Sequence, residues 1–255
     1  MSLPDIAELA AGAGWRCADC ISDLHLQQAE PGTFDAWRRY MASTPADAVF
    51  ILGDLFEAWP GDDVVDEPGF EADCAAVLRQ ACARRPVFFL HGNRDFLVGK
   101  AFAASTGVRL LADPTVLSFG GVRWLLSHGD LLCLADAEYL RFRAQVRSPG
   151  WQRDFLARPL AERQAVARAL RAQSEERKRS GTAYADVDAE AARAWLRAAG
   201  ADALIHGHTH RPREHELGDG LRRIVLTDWD LAASPQRAEV LRVAADGGWQ
   251  RLPLD

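Results

Sequence analysis

Short runs of wholly apolar residues recur along this chain and alternate with longer stretches of helical spacing. Five such runs lie at 49–52, 87–90, 124–126, 203–205 and 224–226. Apolar runs of this length without polar alternation are typical of strands buried on both faces, whereas the spacing within 34–41 and 70–83 indicates helices. The alternation of the two patterns predicts an α/β fold with largely parallel sheets.

Residues that can bind metal ions follow these runs closely. Five motifs occur along the chain, at 23–25 (DLH), 53–54 (GD), 92–95 (GNRD), 128–130 (HGD) and 206–208 (HGH). Because sites in α/β sheets gather at the carboxyl ends of the strands, we expect the motifs to converge. The two-residue spacing of Asp23 and His25 in an extended segment directs both side chains to one face.

The acids, the amide and the imidazoles of these motifs are suitable ligands for two neighbouring divalent ions. We assign Asp23, His25, Asp54 and His208 to one ion, and Asp54, Asn93, His128 and His206 to the other, with Asp54 bridging. Mixed carboxylate and imidazole ligands suit Mn²⁺, with iron, zinc, cobalt or magnesium as alternatives. Two such ions activate water and stabilise a phosphoryl transition state, so the motifs predict hydrolysis of a phosphate ester.

The segment 136–199, between the fourth and fifth motifs, differs from the rest of the chain. It is rich in Ala, Arg, Leu, Glu and Gln, which favour helices, and it has no strand-like run. Its apolar residues at approximate helical spacing are Trp151, Phe155, Leu156, Leu160, Val166 and Leu170. We predict a core formed by 1–135 and 200–255, with 136–199 inserted as a helical cap over the metal site. An ordinary solvated helix pair is the alternative.

Charge is unevenly distributed along the chain. The whole chain carries −6, but residues 137–199 contain 13 Arg/Lys and 8 Asp/Glu, a net of +5 that leaves −11 on the remainder. The acidic body disfavours nucleic acid as the main partner, and the basic segment indicates an anionic ligand or a membrane surface. No stretch resembles a signal peptide or a membrane span, and five irregularly spaced cysteines are typical of a reducing compartment. We therefore expect a cytoplasmic protein.

The order of the motifs from Asp23 to His208 resembles that of the calcineurin-like metallophosphoesterases. This resemblance implies a four-layer α/β/β/α sandwich of two sheets flanked by helices. Many members carry a His after the Asn, where it protonates an alcohol leaving group, but this chain has Arg94, which cannot donate a proton at neutral pH. A phosphate monoester, with a second pKa of about 6, can leave unprotonated. Arg94 therefore favours a diphosphate substrate, whose oxygens it would clamp, unless it only pairs with Asp95.

Longer matching stretches indicate a particular family among these phosphoesterases. Residues 51–59 (ILGDLFEAW), 91–97 (HGNRDFL) and 206–212 (HGHTHRP) are similar to those of the bacterial UDP-2,3-diacylglucosamine diphosphatase family. The resemblance implies an enzyme of lipid A biosynthesis that attacks the α-phosphate of this UDP-linked diacyl sugar, releasing UMP and 2,3-diacylglucosamine 1-phosphate. It also implies that the cap receives the acyl chains. We further expect two Mn²⁺ ions, a monomer, and peripheral association with the cytoplasmic face of the inner membrane.

Matching positions in that family assign roles to individual residues. The resemblance gives Asp54, Asn93, Arg94 and His206 as catalytic residues. The implied substrate contacts are Asn93, Arg94, Asp136, Ser174, Lys178 and His206, with Arg177 or Arg179 as alternatives to Lys178. Two other functions stay open: a dimetal phosphoesterase acting on a soluble nucleotide or phosphoprotein, and a scaffold without catalysis, which the intact ligand set disfavours. Residues 1–14 have no evident role.

Overall fold

A computed structural model describes residues 3–179 and 185–254, without the side chains of 173–179. Its strands are β1 (Ala7–Ala10), β2 (Cys17–Ile21), β3 (Ala48–Leu52), β4 (Val87–Leu90), β5 (Arg109–Leu111), β6 (Thr115–Phe119), β7 (Val122–Leu126), β8 (Ala203–His206), β9 (Arg213–Gly218), β10 (Leu221–Val225), β11 (Glu239–Ala244) and β12 (Trp249–Pro253). Its helices are α1 (Pro31–Ser43), α2 (Phe70–Cys82), α3 (Lys100–Thr106), α4 (Ala137–Val146), α5 (Pro149–Leu156), α6 (Leu160–Arg179) and α7 (Ala189–Ala199). All the strands and helices predicted from the apolar pattern are present, with somewhat different ends.

The strands form two six-stranded sheets. One sheet has the order β12-β11-β2-β3-β4-β5, and the other has the order β1-β6-β7-β8-β10-β9. The strands that precede the ligand motifs are parallel, β2 to β4 in the first sheet and β7 with β8 in the second. Both sheets are mixed, because β6–β7, β2–β11, β9–β10 and β11–β12 are antiparallel. Six of the ten strand pairs in the described residues are parallel, so the predicted, largely parallel arrangement holds, with four antiparallel pairs added to it.

Alternating side chains build the layers of the fold. In β3, Phe50 and Leu52 pack in the apolar layer shared by the two sheets, whereas Val49 and Ile51 pack with the helices α1 to α3. Phe50 stacks on Phe88 of the adjacent strand, with ring centroids 4.7 Å apart. Since both faces of the sheet are covered, strands without polar alternation are stable here. The four-layer α/β/β/α sandwich is confirmed, with α7 forming the layer outside the second sheet.

The segment 136–199, predicted as a cap, packs at two separate places in the fold. The Asp188 side chain caps helix α7, which buries Trp195 and Leu196 against the outer face of the second sheet. The expectation that all of 136–199 lies over the metal site is therefore wrong for α7, because the apolar face of this helix completes the core. Within the described part of this segment, α4, α5 and α6 contribute side chains to the cavity above the ligand motifs, together with Asp136 and Ala185. Among the described residues, no helix combines the length and apolar character needed to cross a membrane.

The N-terminal extension contributes to the sheet. Strand β1 pairs in parallel with β6 and forms one edge of the second sheet. Trp15, which follows it, lies with its ring edge-on to Phe50, Phe88 and Phe119, at centroid distances of 6.2–6.3 Å. The extension thus covers the edge of β6 and closes the end of the layer between the sheets, a role that the sequence did not reveal.

Candidate metal centre

The ligand motifs meet where the parallel strands end. Asp23 and His25 follow β2, Asp54 follows β3, Asn93 follows β4, His128 follows β7, and His206 and His208 stand at and after the end of β8. Backbone hydrogen bonds tie these loops to one another: the Asp23 N–H donates to the Gly53 carbonyl over 3.1 Å, and the Gly207 N–H donates to the His128 carbonyl over 3.1 Å. The predicted convergence of the five motifs is therefore what the structure shows.

Backbone strain is concentrated in these loops. Six non-glycine residues of the described chain have left-handed φ, and five of them, Asp23, His25, Asp54, His208 and His210, belong to the site, with φ of 48–67°. Such a conformation costs roughly 1–3 kcal/mol for a residue with a Cβ, and it persists only where the surrounding structure enforces it. Four of the seven predicted ligands have this conformation, and Asp23 and His25 are therefore not in the extended segment that their spacing predicted.

Two glycines allow the loops to approach. A Cβ on Gly53, whose φ is 89°, would lie 2.6 Å from the backbone of Gly92 and from Nδ1 of His128. A Cβ on Gly92 would overlap the Asp54 side chain. The loops after β3 and β4 can therefore lie in contact only because both positions lack a side chain.

Asp54 occupies the middle of the cluster. Its side chain is almost fully buried, and its Oδ1 accepts a hydrogen bond of 2.8 Å from the Arg94 N–H. Its Oδ2 lies 3.9 Å from Nε2 of His25 and 3.7 Å from Nε2 of His128. A single carboxylate oxygen between two imidazoles is suited to the bridging role predicted for it.

Asn93 lies between two of the imidazoles. Its Oδ1 lies 3.0 Å from Nε2 of His128 and 2.8 Å from Nδ1 of His208. His128 directs Nδ1 toward the Leu52 carbonyl at 2.9 Å, so Nδ1 carries a proton. A divalent ion would displace any proton on Nε2, which would then offer a lone pair beside the amide oxygen.

His206 is a further candidate metal ligand. Its Nδ1 lies 2.8 Å from the Gly207 carbonyl, and its buried Nε2 has no hydrogen-bond partner among the described residues. Burial lowers the pKa of His206 to about 3 and that of His208 to about 4, so both rings are neutral at physiological pH. A neutral imidazole with an unpartnered nitrogen is a suitable metal ligand.

Carboxylates give the centre a negative potential. Burial opposes protonation of His128, but Asp54, Asp23 and Asp130 outweigh it and raise the pKa of His128 to about 9. The pKa of Asp23 lies well below its ordinary value, because the neighbouring histidines outweigh the effect of burial. A buried site of this charge attracts cations, as the prediction of two divalent ions requires.

His210 lies closer to the first ligand group than the sequence indicated. Its Nε2 is 3.5 Å from Oδ1 of Asp23 and 3.3 Å from Nε2 of His25. Two groups of potential ligands occur among the described residues, one with Asp23, His25 and His210 and one with Asp23, Asp54 and His128. His208, which we assigned beside Asp23 and His25, turns its ring toward Asn93 and His128, although its N–H donates to Asp23 over 2.9 Å. The two-residue spacing of His206, His208 and His210 was the available signal for His210.

Asp95 does not pair with Arg94. Asp95 is fully buried, and it accepts hydrogen bonds of 2.8 Å from the backbone N–H groups of Gly92 and Leu55. Arg94 instead directs Nη1 toward Oε1 of Glu57 at 3.7 Å and lines the cavity above the site. The alternative that Arg94 only neutralises its neighbour is therefore wrong, because the backbone occupies the Asp95 carboxylate.

Buried ionic contacts join the cap to the centre. Asp130, two residues after His128, accepts a hydrogen bond of 2.6 Å from Arg143 and another from the Tyr139 hydroxyl, both on α4. The Tyr139 ring also stacks on His208, with centroids 5.9 Å apart. Helix α4 is thereby fixed against the loops that carry two of the predicted ligands.

The predicted substrate contacts differ in accessibility. Asn93, Arg94 and Asp136 line the cavity, and Asp136 also caps α4 through a 3.0 Å hydrogen bond from the Tyr139 N–H. His206 is fully buried and does not line the cavity, so the structure does not expose it to a substrate there. Ser174 and Lys178, with the alternatives Arg177 and Arg179, fall outside the residues whose side chains are described.

One cavity of about 860 Å³ joins the ligand cluster to the cap. One part of its wall is polar and includes His25, Asp54, Asn93, Arg94 and His208. Another part is apolar and comes from α4 to α6, with Phe142, Trp151, Phe155, Val166 and Leu170. A cavity with such walls is suited to an amphipathic ligand that places its charged group at the ligand cluster.

The two-sheet sandwich and the ligand cluster at its strand ends define a metal-dependent phosphoesterase. The model of the calcineurin-like phosphoesterase family matches residues 19–212. A UDP-2,3-diacylglucosamine hydrolase from Chromobacterium violaceum is 47% identical over 243 residues, which cover 92% of this chain and 97% of the relative. The chain therefore belongs to the calcineurin-like phosphoesterases and, within them, to the UDP-2,3-diacylglucosamine hydrolase family.

Two further proteins show the range of similarity. A UDP-2,3-diacylglucosamine hydrolase from Xanthomonas axonopodis pv. citri is 46% identical over 242 residues, covering 89% of this chain and 95% of the relative. The solved structure of Vps29 (mutant D62A) from Entamoeba histolytica is 15% identical, covers 94% of this chain and 99% of that chain, and gives a TM-score of 0.47. Family membership makes this chain a hydrolase, as the motifs predicted.

Proposed function

We propose that this protein hydrolyses UDP-2,3-diacylglucosamine in lipid A biosynthesis. In this reaction the oxygen of water forms a bond to the α-phosphorus, and the bond from that phosphorus to the bridging oxygen breaks. The products are UMP, which carries the oxygen from water, and 2,3-diacylglucosamine 1-phosphate. The observation that carries the proposal is the cavity in which apolar cap side chains adjoin the ligand cluster.

The two walls of the cavity match the two parts of this substrate. The acyl chains would lie against the apolar side chains of α4 to α6, including Phe142, Val166 and Leu170. The diphosphate would lie beside Arg94, which takes the position of the histidine found in many calcineurin-like phosphoesterases. A phosphate monoester leaving group departs without a proton, so a permanently charged guanidinium that binds phosphate oxygens is consistent with this chemistry.

We further propose that two Mn²⁺ ions bind at the centre. The fit rests on the unpartnered Nε2 of His206 and on the buried carboxylate, amide and imidazole groups that meet at Asp54 and Asn93. The residues that would hold the ions are Asp23, His25, Asp54, Asn93, His128, His206 and His208. Bound divalent ions supply Lewis-acid activation of water and neutralise charge on the reacting phosphate.

The protein residues have distinct roles in this proposal. Asp54 would bridge the two ion sites, Asn93 would add an oxygen ligand without adding charge, and His206 would act through its unpartnered nitrogen. Arg94 would orient the phosphate. The fully buried surroundings of Asp23, His128 and His206 exclude bulk water, which strengthens each electrostatic contact.

The reaction can be tested with isotopically labelled water. Metal-free protein reconstituted with Mn²⁺ should release UMP from UDP-2,3-diacylglucosamine, and in H₂¹⁸O the label should appear in UMP. Label in the sugar phosphate would contradict attack at the α-phosphorus. A preference for water-soluble dinucleotides or phosphopeptides over the acylated substrate would favour the alternative function. Reconstitution with Mg²⁺, Zn²⁺, Co²⁺ or Fe²⁺ at equal occupancy tests the choice of metal.

We also propose that the protein is a monomer that associates peripherally with the cytoplasmic face of the inner membrane. The cap carries exposed apolar side chains, Phe142, Leu156 and Leu170, each 40–41% accessible, and the segment 137–199 has a net charge of +5. A basic surface with exposed apolar groups is typical of proteins that bind anionic lipid. Co-sedimentation with phosphatidylglycerol vesicles should decrease as salt is raised; absence of binding at low salt would contradict the proposal.

A further inference from the structure

Glu57 is a buried carboxylate at the edge of the ligand cluster. It follows Asp54 by three residues, and its backbone N–H donates to the Leu26 carbonyl over 3.2 Å, which fixes its loop against the loop that carries His25. Its side chain is 11% exposed and lines the cavity. A buried carboxylate needs partners, since its desolvation costs several kcal/mol when nothing compensates it.

The two oxygens of Glu57 have different partners. Oε2 lies 3.0 Å from Nδ1 of His25, an ionic contact that lacks the angle of a hydrogen bond. Oε1 lies 3.2 Å from Nε of Arg171 on α6 and 3.7 Å from Nη1 of Arg94. One carboxylate therefore contacts a predicted metal ligand on one side, and the phosphate-binding arginine and the cap on the other.

The contact with His25 determines which nitrogen faces the metal site. A carboxylate beside Nδ1 favours the proton on that atom, and this leaves the Nε2 lone pair directed to the centre, where Nε2 lies 3.9 Å from Oδ2 of Asp54. A carboxylate that orients a metal-binding histidine in this way typically contributes about 10- to 100-fold to metal affinity. No role for Glu57 follows from its position in the chain alone, although it lies within the 51–59 motif.

We propose that Glu57 is a positioning residue that holds His25 for one metal ion and ties Arg94 and helix α6 to the same ligand. Metal binding at the His25 site and docking of α6 are then linked through one side chain. Linkage of this kind is reciprocal: a docked α6 strengthens metal binding at that site, and the bound metal stabilises the docked α6. The inference rests on the dimetal centre of the proposed function.

The direct test is a Mn²⁺ titration of metal-free protein by isothermal calorimetry, with Glu57→Gln as the variant. Wild type should bind two ions. Glu57→Gln should also bind two, with affinity lowered about 10- to 100-fold at one site only. His25→Ala identifies that site, because it should lose the same ion. Loss of negative charge by itself would weaken both sites, so equal weakening of both would overturn the positioning role.

Asp63→Asn is the matched control. Asp63 also joins the core to the cap, through Arg163 of α6, but none of its described contacts is to a predicted metal ligand. This variant should leave both metal affinities unchanged. Glu57→Asp, which keeps the charge on a shorter side chain, serves if Glu57→Gln fails to fold. Its weaker site should again be the one that His25→Ala loses.

Hydrogen exchange gives a second readout that does not depend on turnover. Mn²⁺ should slow backbone exchange at residues 163–172 of α6 in wild type and have a smaller effect in Glu57→Gln. A Glu57→Gln isotherm that superimposes on that of wild type would reject the inference while leaving the dimetal centre intact. A wild-type protein that binds fewer than two ions would instead reject the dimetal centre, and the inference with it.

Discussion

At the metal centre Asp23, His128 and His206 are fully buried, whereas on the cap Phe142 and Leu170 each keep 40% of their surface exposed. The predicted ligands follow parallel strands whose faces are covered by sheet and helix, and their loops are locked by hydrogen bonds and strained φ values. The cap helices α4 to α6 are held both by ionic contacts, such as Arg143 with Asp130, and by apolar packing, as where Trp151 and Phe155 pack with the core. The core therefore positions the candidate ligands, and the cap provides a partly exposed apolar wall.

The largest effect should come from the centre itself. Asp54→Ala removes the carboxylate whose Oδ2 lies 3.9 Å from the His25 ring and 3.7 Å from the His128 ring, and with it the proposed bridge between the two ion sites. Since metal ions supply several kcal/mol of transition-state stabilisation, kcat should fall by about a thousandfold or more. The measurement is UMP release at saturating substrate. Circular dichroism and the melting temperature should show a folded chain, and retained turnover would contradict the proposed site.

A smaller effect is expected at Arg94, where the centre meets the cap. Arg94→Lys keeps the charge but loses the planar fork that binds two phosphate oxygens, so kcat/KM should fall by roughly 10- to 100-fold, equivalent to about 1.5–3 kcal/mol. Arg94→Met, which also removes the charge, should lower kcat/KM more than Arg94→Lys. Equal losses for the two variants would indicate that a positive charge without the planar fork contributes nothing, and no loss in either would show that Arg94 does not contact the substrate.

The cap can be tested with two leucines of matched exposure. Leu170 lines the cavity and Leu156 does not, although they are 40% and 41% exposed. Leu170→Gln should raise KM for the acylated substrate by about tenfold, within the ~1.5–3 kcal/mol available from burial of a leucine side chain. Hydrolysis of bis(p-nitrophenyl) phosphate should be unchanged. Leu156→Gln assayed in detergent should resemble wild type, and a matching rise in its KM would place the acyl chains outside the cavity.

The smallest effect on activity should come from replacing Arg163, which holds helix α6 of the cap to the core. Arg163 is buried, donates to the Pro60 carbonyl over 2.6 Å and pairs with Asp63. Arg163→Met leaves that carbonyl without its partner, so the free energy of unfolding should fall by about 1–3 kcal/mol while kcat with a soluble substrate stays close to wild type. Urea denaturation measures the free energy of unfolding. A strong loss of kcat would show that the centre depends on the cap for its geometry.

The sequence predicted the catalytic side of the protein better than its peripheral parts. The motifs at Asp23, Asp54 and His128 could be recognised because each follows a short buried strand, and the strand pattern depends on local hydrophobicity. Helix α7 could not be separated from the cap in this way. Its composition resembles that of α6, and only the position of the second sheet shows that Trp195 packs in the core.

Contacts between residues far apart in sequence also could not be predicted. Glu57 and Arg171 meet only because α6 lies over the loop after β3, and no local pattern predicts that distance. Strand β1 was missed because four half-exposed residues at an edge have no continuous apolar run. The ring of His208 turns toward Asn93 while His210 lies beside Asp23, a choice made by the left-handed backbone of both residues.

The sequence by itself determined the α/β class and the identity and order of the candidate ligand side chains, because short-range hydrophobic pattern and side-chain chemistry are both properties of the chain. The tertiary structure decided which side chains share a site, which helix belongs to the core and how the cap is held. Those outcomes depend on the packing of two sheets and on contacts across more than a hundred residues, such as Arg171 with Glu57. Local sequence constrains such contacts only weakly.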